Sequence, residues 1–206
     1  MEKEIRLAFS GVSREGGVSL SEAREIDNYG SEKARREARK RDTDTRWEDI
    51  PDESIPENCE LWPFLDEIGF HYYIPAFISW CVRKRAENEL GYEDPWYPTV
   101  DFFTLCALDI SPAEAKRQLK NFTPEQLVAT AHFLQFLEKE EIQANEQLWK
   151  RERKEWRQGM QKDTNLSEQE IDAMEEETKR NYMNSYSVDK AIGKALKRCW
   201  GQFIEE

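Results

Sequence analysis

A chain of 206 residues with a formal net charge of −12, 35% charged and 38% apolar, can build one real core but is polar for a globular protein. Aromatic residues at 12%, seven of them tryptophan, exclude a disordered chain, and the negative charge excludes general affinity for nucleic acid or an anionic membrane. Long helices with one apolar stripe and charged remaining faces suit this mixture, so the expected fold class is all-α and mostly helical, in a single domain.

In chain order, a short helix is expected over residues 2–9. Ser19-Leu20-Ser21-Glu22 forms a capping box, in which the Ser19 hydroxyl and the Glu22 carboxylate satisfy each other's orphan amides, and starts a helix over 20–29. A charged helix follows over 32–41. Its basic run, Lys33, Arg35, Arg36, Arg39, Lys40 and Arg41 with Arg46 beyond, is interrupted by Glu32, Glu37, Asp42 and Asp44. That alternation predicts ion pairs with the acidic segment that comes next rather than a nucleic-acid site. Residues 47–61 read as irregular, broken by Pro51 and Pro56.

The stretch 62–82, WPFLDEIGFHYYIPAFISWCV, is the most apolar in the chain and locates the core. In it Asp66 caps a turn, Gly69 supplies a positive φ, and 70–74 is balanced between a short strand and none. Pro75 then opens a helix to about residue 89, with Phe77, Ile78, Cys81 and Val82 on its apolar side. A loop is expected over 91–98, a helix capped by Thr99 through 108, and another over 112–121 announced by Ser111-Pro112-Ala113-Glu114.

Thr123-Pro124-Glu125-Gln126 opens the longest element, which meets no breaker before Gly159. Leu127, Ala131, Leu134 and Leu137 make its first half amphipathic, widened by Phe133 and Phe136; the second half is charged, with Ile142, Trp149 and Trp156 at seven-residue spacing. Ser167 to Glu170 caps a helix over 168–186 that carries Ile171, Met174 and Tyr182 and folds back as an antiparallel hairpin. Val188, Ile192, Ala195, Cys199 and Phe203, with Leu196 and Trp200, then form a seam that returns to the core. The organisation is a core over 1–141, a hairpin over 142–186 and a terminal helix over 187–206.

Chemical motifs are few. Cys59, Cys81, Cys106 and Cys199 share no close spacing and there are two histidines, so the thiols read as small core residues and no metal or cofactor is expected. The N-terminal residues contain no apolar signal core, which places the chain in a reducing cytoplasm. Asp66 with His71 could form an acid–base couple in an aromatic pocket with Trp47, Tyr72 and Tyr73; a capped turn and core packing explain the same residues. His132 reads as a satisfied, partly buried histidine. No catalytic signature occurs. Between Trp47 and Gly69 stand Glu48, Asp49, Asp52, Glu53, Glu57, Glu60, Asp66 and Glu67 with no Lys or Arg, and a second unrelieved acidic block spans 168–177. The leading functional expectation is a non-enzymatic acidic module that binds a basic protein partner, of the immunity-inhibitor or adaptor type, through Glu48, Asp49, Asp52, Glu53, Glu57 and Glu60. The alternatives are a small enzyme or ligand binder at Asp66, His71 and Tyr72, or a homodimer paired through Trp149 and Trp156 of the 142–186 hairpin.

Trp47-Glu48-Asp49-Ile50-Pro51, then Phe64-Leu65-Asp66 with Gly69-Phe70, then Tyr73-Ile74-Pro75-Ala76-Phe77, resemble in order the blocks of an uncharacterised bacterial family, domain of unknown function 6714. Phe122-Thr123-Pro124-Glu125-Gln126, Phe133-Leu134-Gln135-Phe136-Leu137 and the terminal Ala195 to Trp200 continue the likeness. The chain departs from it at Glu67-Ile68, where Pro-Glu is common, at His71, where Arg is usual, and in a longer charged stretch over 142–184. The resemblance implies a fold and no activity.

Overall fold

A computed structural model of the chain describes residues 1–87, 97–163, 166–185 and 187–204. Among these residues every regular element is helical and none is a strand. Serine and threonine caps set several of the starts. Ser19 accepts the Glu22 amide at 3.3 Å to open α2 (Leu20–Asp27), and Ser31 accepts the Ala34 amide at 3.2 Å to open α3 (Glu32–Arg39). Before them lies α1 (Glu2–Ala8), which seats Ile5 fully in the core. The segment expected to be irregular holds a 3-10 turn at Trp47–Asp49 and one short helix, α4 (Ser54–Asn58). Pro56 falls in the first turn of α4, where no amide hydrogen is needed.

The centre of the molecule is α5 (Glu67–Glu87), buried along most of its length from Gly69 to Cys81. A helix apolar on every side cannot lie on a surface, and here α1, α4 and α6 (Tyr97–Leu108) all pack on it. Trp62, in the turn just before it, meets Phe77 and Phe70 with ring centroids 4.6 and 5.6 Å apart, and Trp47 is anchored from the other side by its indole N–H to the Phe9 carbonyl at 2.9 Å. One open point is settled here and one expectation fails. Residues 70–74 are helical, with no strand. Pro75 lies inside the helix instead of opening it, which deprives the His71 carbonyl of an amide partner. Burial of Tyr72, Tyr73, Ile74, Phe77 and Ile78 outweighs that loss.

The helix opens at Glu67, eight residues ahead of that proline, under a cap from Asp66, whose Oδ1 accepts the amides of Gly69 at 2.7 Å and Val18 at 3.0 Å. The cap therefore also ties down the chain entering α2. Gly69 does not have the positive φ expected of it. Its lack of a side chain serves contact instead: a Cβ there would come within 2.5 Å of the Val18 carbonyl oxygen.

After α6, the capping box at Ser111 and Glu114 opens α7 (Pro112–Gln118). Thr99 sits inside α6 and does not cap it. Thr123 and Gln126 exchange the same pair of bonds, at 2.9 and 3.3 Å, to open α8 (Pro124–Asp163), which runs through Gly159 without a break. Its expected partner α9 (Glu168–Ser185) packs against it, cross-linked by Arg157 to Glu168, Asp172 and Glu175 at 2.6–2.8 Å and by Arg153 to Glu175. Trp149 is 5% exposed and its ring lies 6.4 Å from that of Trp156, tilted by 52°, while Trp156 stays partly exposed. Finally α10 (Ser187–Arg198) and the turn Trp200–Phe203 return Ile192, Ala195, Cys199 and Trp200 to the core, with the Trp200 indole donating to the Leu108 carbonyl at 2.7 Å. Of the expected loop over 91–98, residues 91–96 lie outside the described residues and 97–98 already belong to α6; the side chains of Tyr182 and Val188 also lie outside the described residues. Cys59, Cys81 and Cys199 are buried as expected of core thiols, whereas Cys106 is exposed.

Gly69→Ala forces Val18 and α5 apart and is expected to lower stability by roughly 1–3 kcal/mol in urea unfolding, although alanine favours helix. Unchanged or increased stability would show that the two backbones are not in contact.

Candidate functional site

The five pocket candidates do not share one pocket. Trp47 is a core residue, and Asp66 is occupied as a helix cap. His71 is engaged elsewhere: its Nε2–H donates to the Gln126 side-chain oxygen Oε1 at 2.7 Å, and its ring packs against Phe122 at 4.8 Å and Phe9 at 6.0 Å. Burial lowers the pKa of His71 below the ordinary histidine value, against the raising effect of the Gln126 bond. Asp66 and His71 thus bond different partners, and of the two readings of this segment the cap and core packing are what form. The other histidine, His132, bonds Glu4 through Nδ1 at 2.5 Å and is part-buried, as expected.

Tyr72 and Tyr73, by contrast, meet a charged group that the sequence did not single out. The Tyr72 hydroxyl donates to Asp44 Oδ2 at 2.8 Å. The Tyr73 hydroxyl accepts from Arg14 Nη1 at 2.6 Å and from the Leu20 amide at 3.3 Å. Arg14 also reaches Asp44 Oδ2 at 3.5 Å and donates to the Asp42 carbonyl at 2.8 Å. Ser21 fills the Asp42 carboxylate, its amide on one oxygen at 2.8 Å and its hydroxyl on the other at 2.7 Å. Burial first, then the Asp44 bond, raises the Tyr72 phenol above its ordinary pKa; burial raises Tyr73 against the opposing pull of Arg14. Arg14 stays charged: burial disfavours its cation, but Tyr73, Asp44 and Asp42 together raise its pKa.

Of this network, Ser21, Asp42, Asp44 and Tyr73 line an open cleft of about 550 Å³ between α2, the chain from Arg41 to Pro51, and α4. That volume falls in the range of ligand sites. Asp42, Thr43, Asp44 and Thr45 form one wall, Asp49, Ser54, Glu57 and Asn58 another, and Tyr73 lies at the base. Arg24 crosses the rim, paired with Glu60 at 2.6 Å and donating to the Glu57 carbonyl, while Arg41 leans toward Glu25 at 3.5 Å. Of the six predicted partner-binding acids, two therefore line the cleft and one is tied to its rim. Glu48 pairs with Arg46 at 3.2 Å, Asp52 pairs with Arg83, and Glu53 is exposed on α4's N-terminal flank. The basic helix α3 does not pair with the acidic segment as expected. Arg39 goes to Glu22 on α2 at 2.6 Å, and only Arg46, beyond the helix, reaches Glu48 and Asp49.

The residues that sequence reasoning missed are Arg14, Asp42 and Asp44. Asp42 and Asp44 read as interruptions in a basic run; the one available signal was the alternation Asp42-Thr43-Asp44-Thr45 in a segment with no helical period. A family model matches residues 1–160, which include every residue lining the cleft. The chain belongs to the family of unknown function DUF6714. No curated protein and no solved structure matches the chain. Among the described residues of this DUF6714 chain no group of three or more His, Cys, Asp or Glu is placed to hold a metal ion, and no helix is long and apolar enough to cross a membrane.

A second ionisable cluster is internal. Arg85 of α5 lies 3.8 Å from Asp101 of α6 and pairs with Glu141 of α8. Asp101 is 6% exposed, and its carboxyl is pushed up to about 6, by burial first, with Arg85 opposing and Glu141 adding to the rise. The folded chain thus keeps a proton that an unfolded aspartate releases near pH 4, so this group costs stability as pH rises from about 4 to about 6.

Two outcomes follow. The His71 ring protons are expected to titrate by NMR with a midpoint below 6.5; a midpoint above it would restore a carboxylate partner. Asp101→Asn is expected to gain on wild type by on the order of 2–3 kcal/mol between pH 4 and pH 7 in paired urea titrations, and a pH-independent difference would remove the buried proton from the account.

Proposed function

We propose that this protein is a non-enzymatic, acidic protein-binding module whose cleft receives a basic segment of a protein partner, as an inhibitor or adaptor of the immunity type would. The observation that carries the reading is the placing of the acids. Glu48, Asp52 and Glu60 are matched by Arg46, Arg83 and Arg24, and Glu168, Asp172 and Glu175 by Arg153 and Arg157. Among the described residues, unpaired acids also stand exposed on α8 and α9, at Glu146, Glu152, Glu155, Glu176 and Glu177, but those lie on helix faces, whereas the ones beside the cleft border a concave site. Asp49 has a half-exposed carboxylate 4.0 Å from Arg46, Glu57 is exposed on the wall, and Glu53 is exposed beside it.

Such a mouth attracts a cation from a distance and holds it by short-range bonds. Binding is favoured over chemistry because the two phenols nearest the cleft are held protonated and the Asp42 carboxylate is filled by Ser21. The net charge of −12 strengthens the attraction for a basic partner and weakens it for nucleic acid.

The test is capture from a lysate at low salt by tagged wild type and by the variant with Asp49→Lys, Glu53→Lys and Glu57→Lys, both checked for equal thermal stability. A partner of basic isoelectric point is expected on the wild type, released by raising salt from 50 to 500 mM (on the order of the screening range) and lost from the variant. Equal capture by both, or binding indifferent to salt, would overturn the reading.

A further inference from the structure

The base of the cleft holds two hydrogen-bonding positions that no described residue fills. The Tyr73 hydroxyl takes one bond from Arg14 at 2.6 Å and one from the Leu20 amide at 3.3 Å, which together occupy its lone pairs. Its own proton has no acceptor among the described residues, although the residue is 1% exposed and lines the cleft. A buried donor left in that condition calls for a partner. Asp44 presents the opposite need. Both of its bonds, from Tyr72 at 2.8 Å and from Arg14 at 3.5 Å, fall on Oδ2, so Oδ1 is an acceptor without a donor on the same wall. Asp42 beside it differs, because each of its oxygens already has a donor from Ser21.

We propose that the cleft reads a hydroxyl or carboxamide group carried next to a cation, namely a Ser, Thr, Asn or Gln side chain flanked by Arg or Lys in the partner segment. A group that both donates and accepts satisfies Asp44 Oδ1 and the Tyr73 proton together, whereas a methyl satisfies neither and a lone cation only the first. The flanking cation meets Asp49 and Glu57 at the mouth. An ionised phosphate or carboxylate cannot donate to Asp44 and meets like charge at the rim. The inference rests on the binding-module reading and adds to it what the partner must carry.

Three blocked peptides serve as probes against the full chain: acetyl-Gly-Arg-Ser-Arg-Gly-N-methylamide, the same peptide with alanine at its centre, and the same peptide with glutamine for both arginines. Binding is read from the amide resonances of Thr43, Thr45 and Asn58 by NMR titration. Replacing the central serine by alanine is expected to weaken binding to wild type about three- to ten-fold, the effect of one or two hydrogen bonds. The same replacement is expected to have a smaller effect in Tyr73→Phe and in Asp44→Asn, each of which removes one of the two bonds, as a double-mutant cycle reads it. Asp44→Asn keeps an oxygen for the Tyr72 hydroxyl and serves where Tyr73→Phe does not fold. An equal serine effect in wild type and both variants, no serine effect in wild type, or no shift at the cleft with any peptide would overturn the inference. Loss of binding with glutamine for arginine, without a serine effect, would leave the binding-module reading standing and remove this inference alone.

Discussion

The Arg14 guanidinium sits where three distant parts of the chain meet. It bonds the Tyr73 hydroxyl on α5, the Asp42 carbonyl and the Asp44 carboxylate, and its side chain is only 12% exposed. A charge removed from water to that degree is tolerated only with near-complete pairing, and removal of one partner of such a group costs about 3–5 kcal/mol. The segment after α3 has no regular structure of its own to hold it. Asp42 and Asp44 fix it instead, one clasped by Ser21 on α2 and the other by Tyr72 on α5. The wall of the cleft is therefore a loop held by side chains, on a floor set by the most deeply buried helix in the molecule.

That dependence explains why α5 matters beyond its apolar content. Asp66 caps the helix and holds the Val18 amide with the same oxygen, so the rotation of α5 and the entry to α2 are set together. Tyr72 and Tyr73 follow within two turns and present adjacent hydroxyls, their rings 5.0 Å apart and nearly perpendicular. A polar network inside a core is stabilising only when its members are satisfied. Here the internal side is satisfied, and the remaining valences, on Tyr73 and on Asp44, fall on residues that line the cleft.

Much of the helical framework was legible because its signals are local. Ser19, Ser111, Thr123 and Ser167 announce their helices within four residues, and in the structure the Ser167 amide indeed bonds Glu170 at 2.8 Å. The start of α5 was misread because Pro75 is a stronger local signal than Asp66, while the burial that decides the matter is a property of the whole fold. The site was harder to find. Arg14 and Tyr73 are 59 positions apart and Asp44 and Tyr72 are 28 apart, and neither pair follows any helical or strand period. The acids were visible as a count, but the pairing of Glu60, Asp52 and Glu175 with Arg24, Arg83, Arg153 and Arg157 is tertiary and has no local signal.

The central claim is that Asp44 and the α5 tyrosines act as one unit that holds the cleft wall. A double-mutant cycle on Asp44→Ala and Tyr72→Phe, measured by urea unfolding at pH 7, tests it most directly. A bond between a buried phenol and a carboxylate predicts a coupling energy of roughly 1–3 kcal/mol. Losses that simply add, within about 0.5 kcal/mol, would mean that the loop is held by something else.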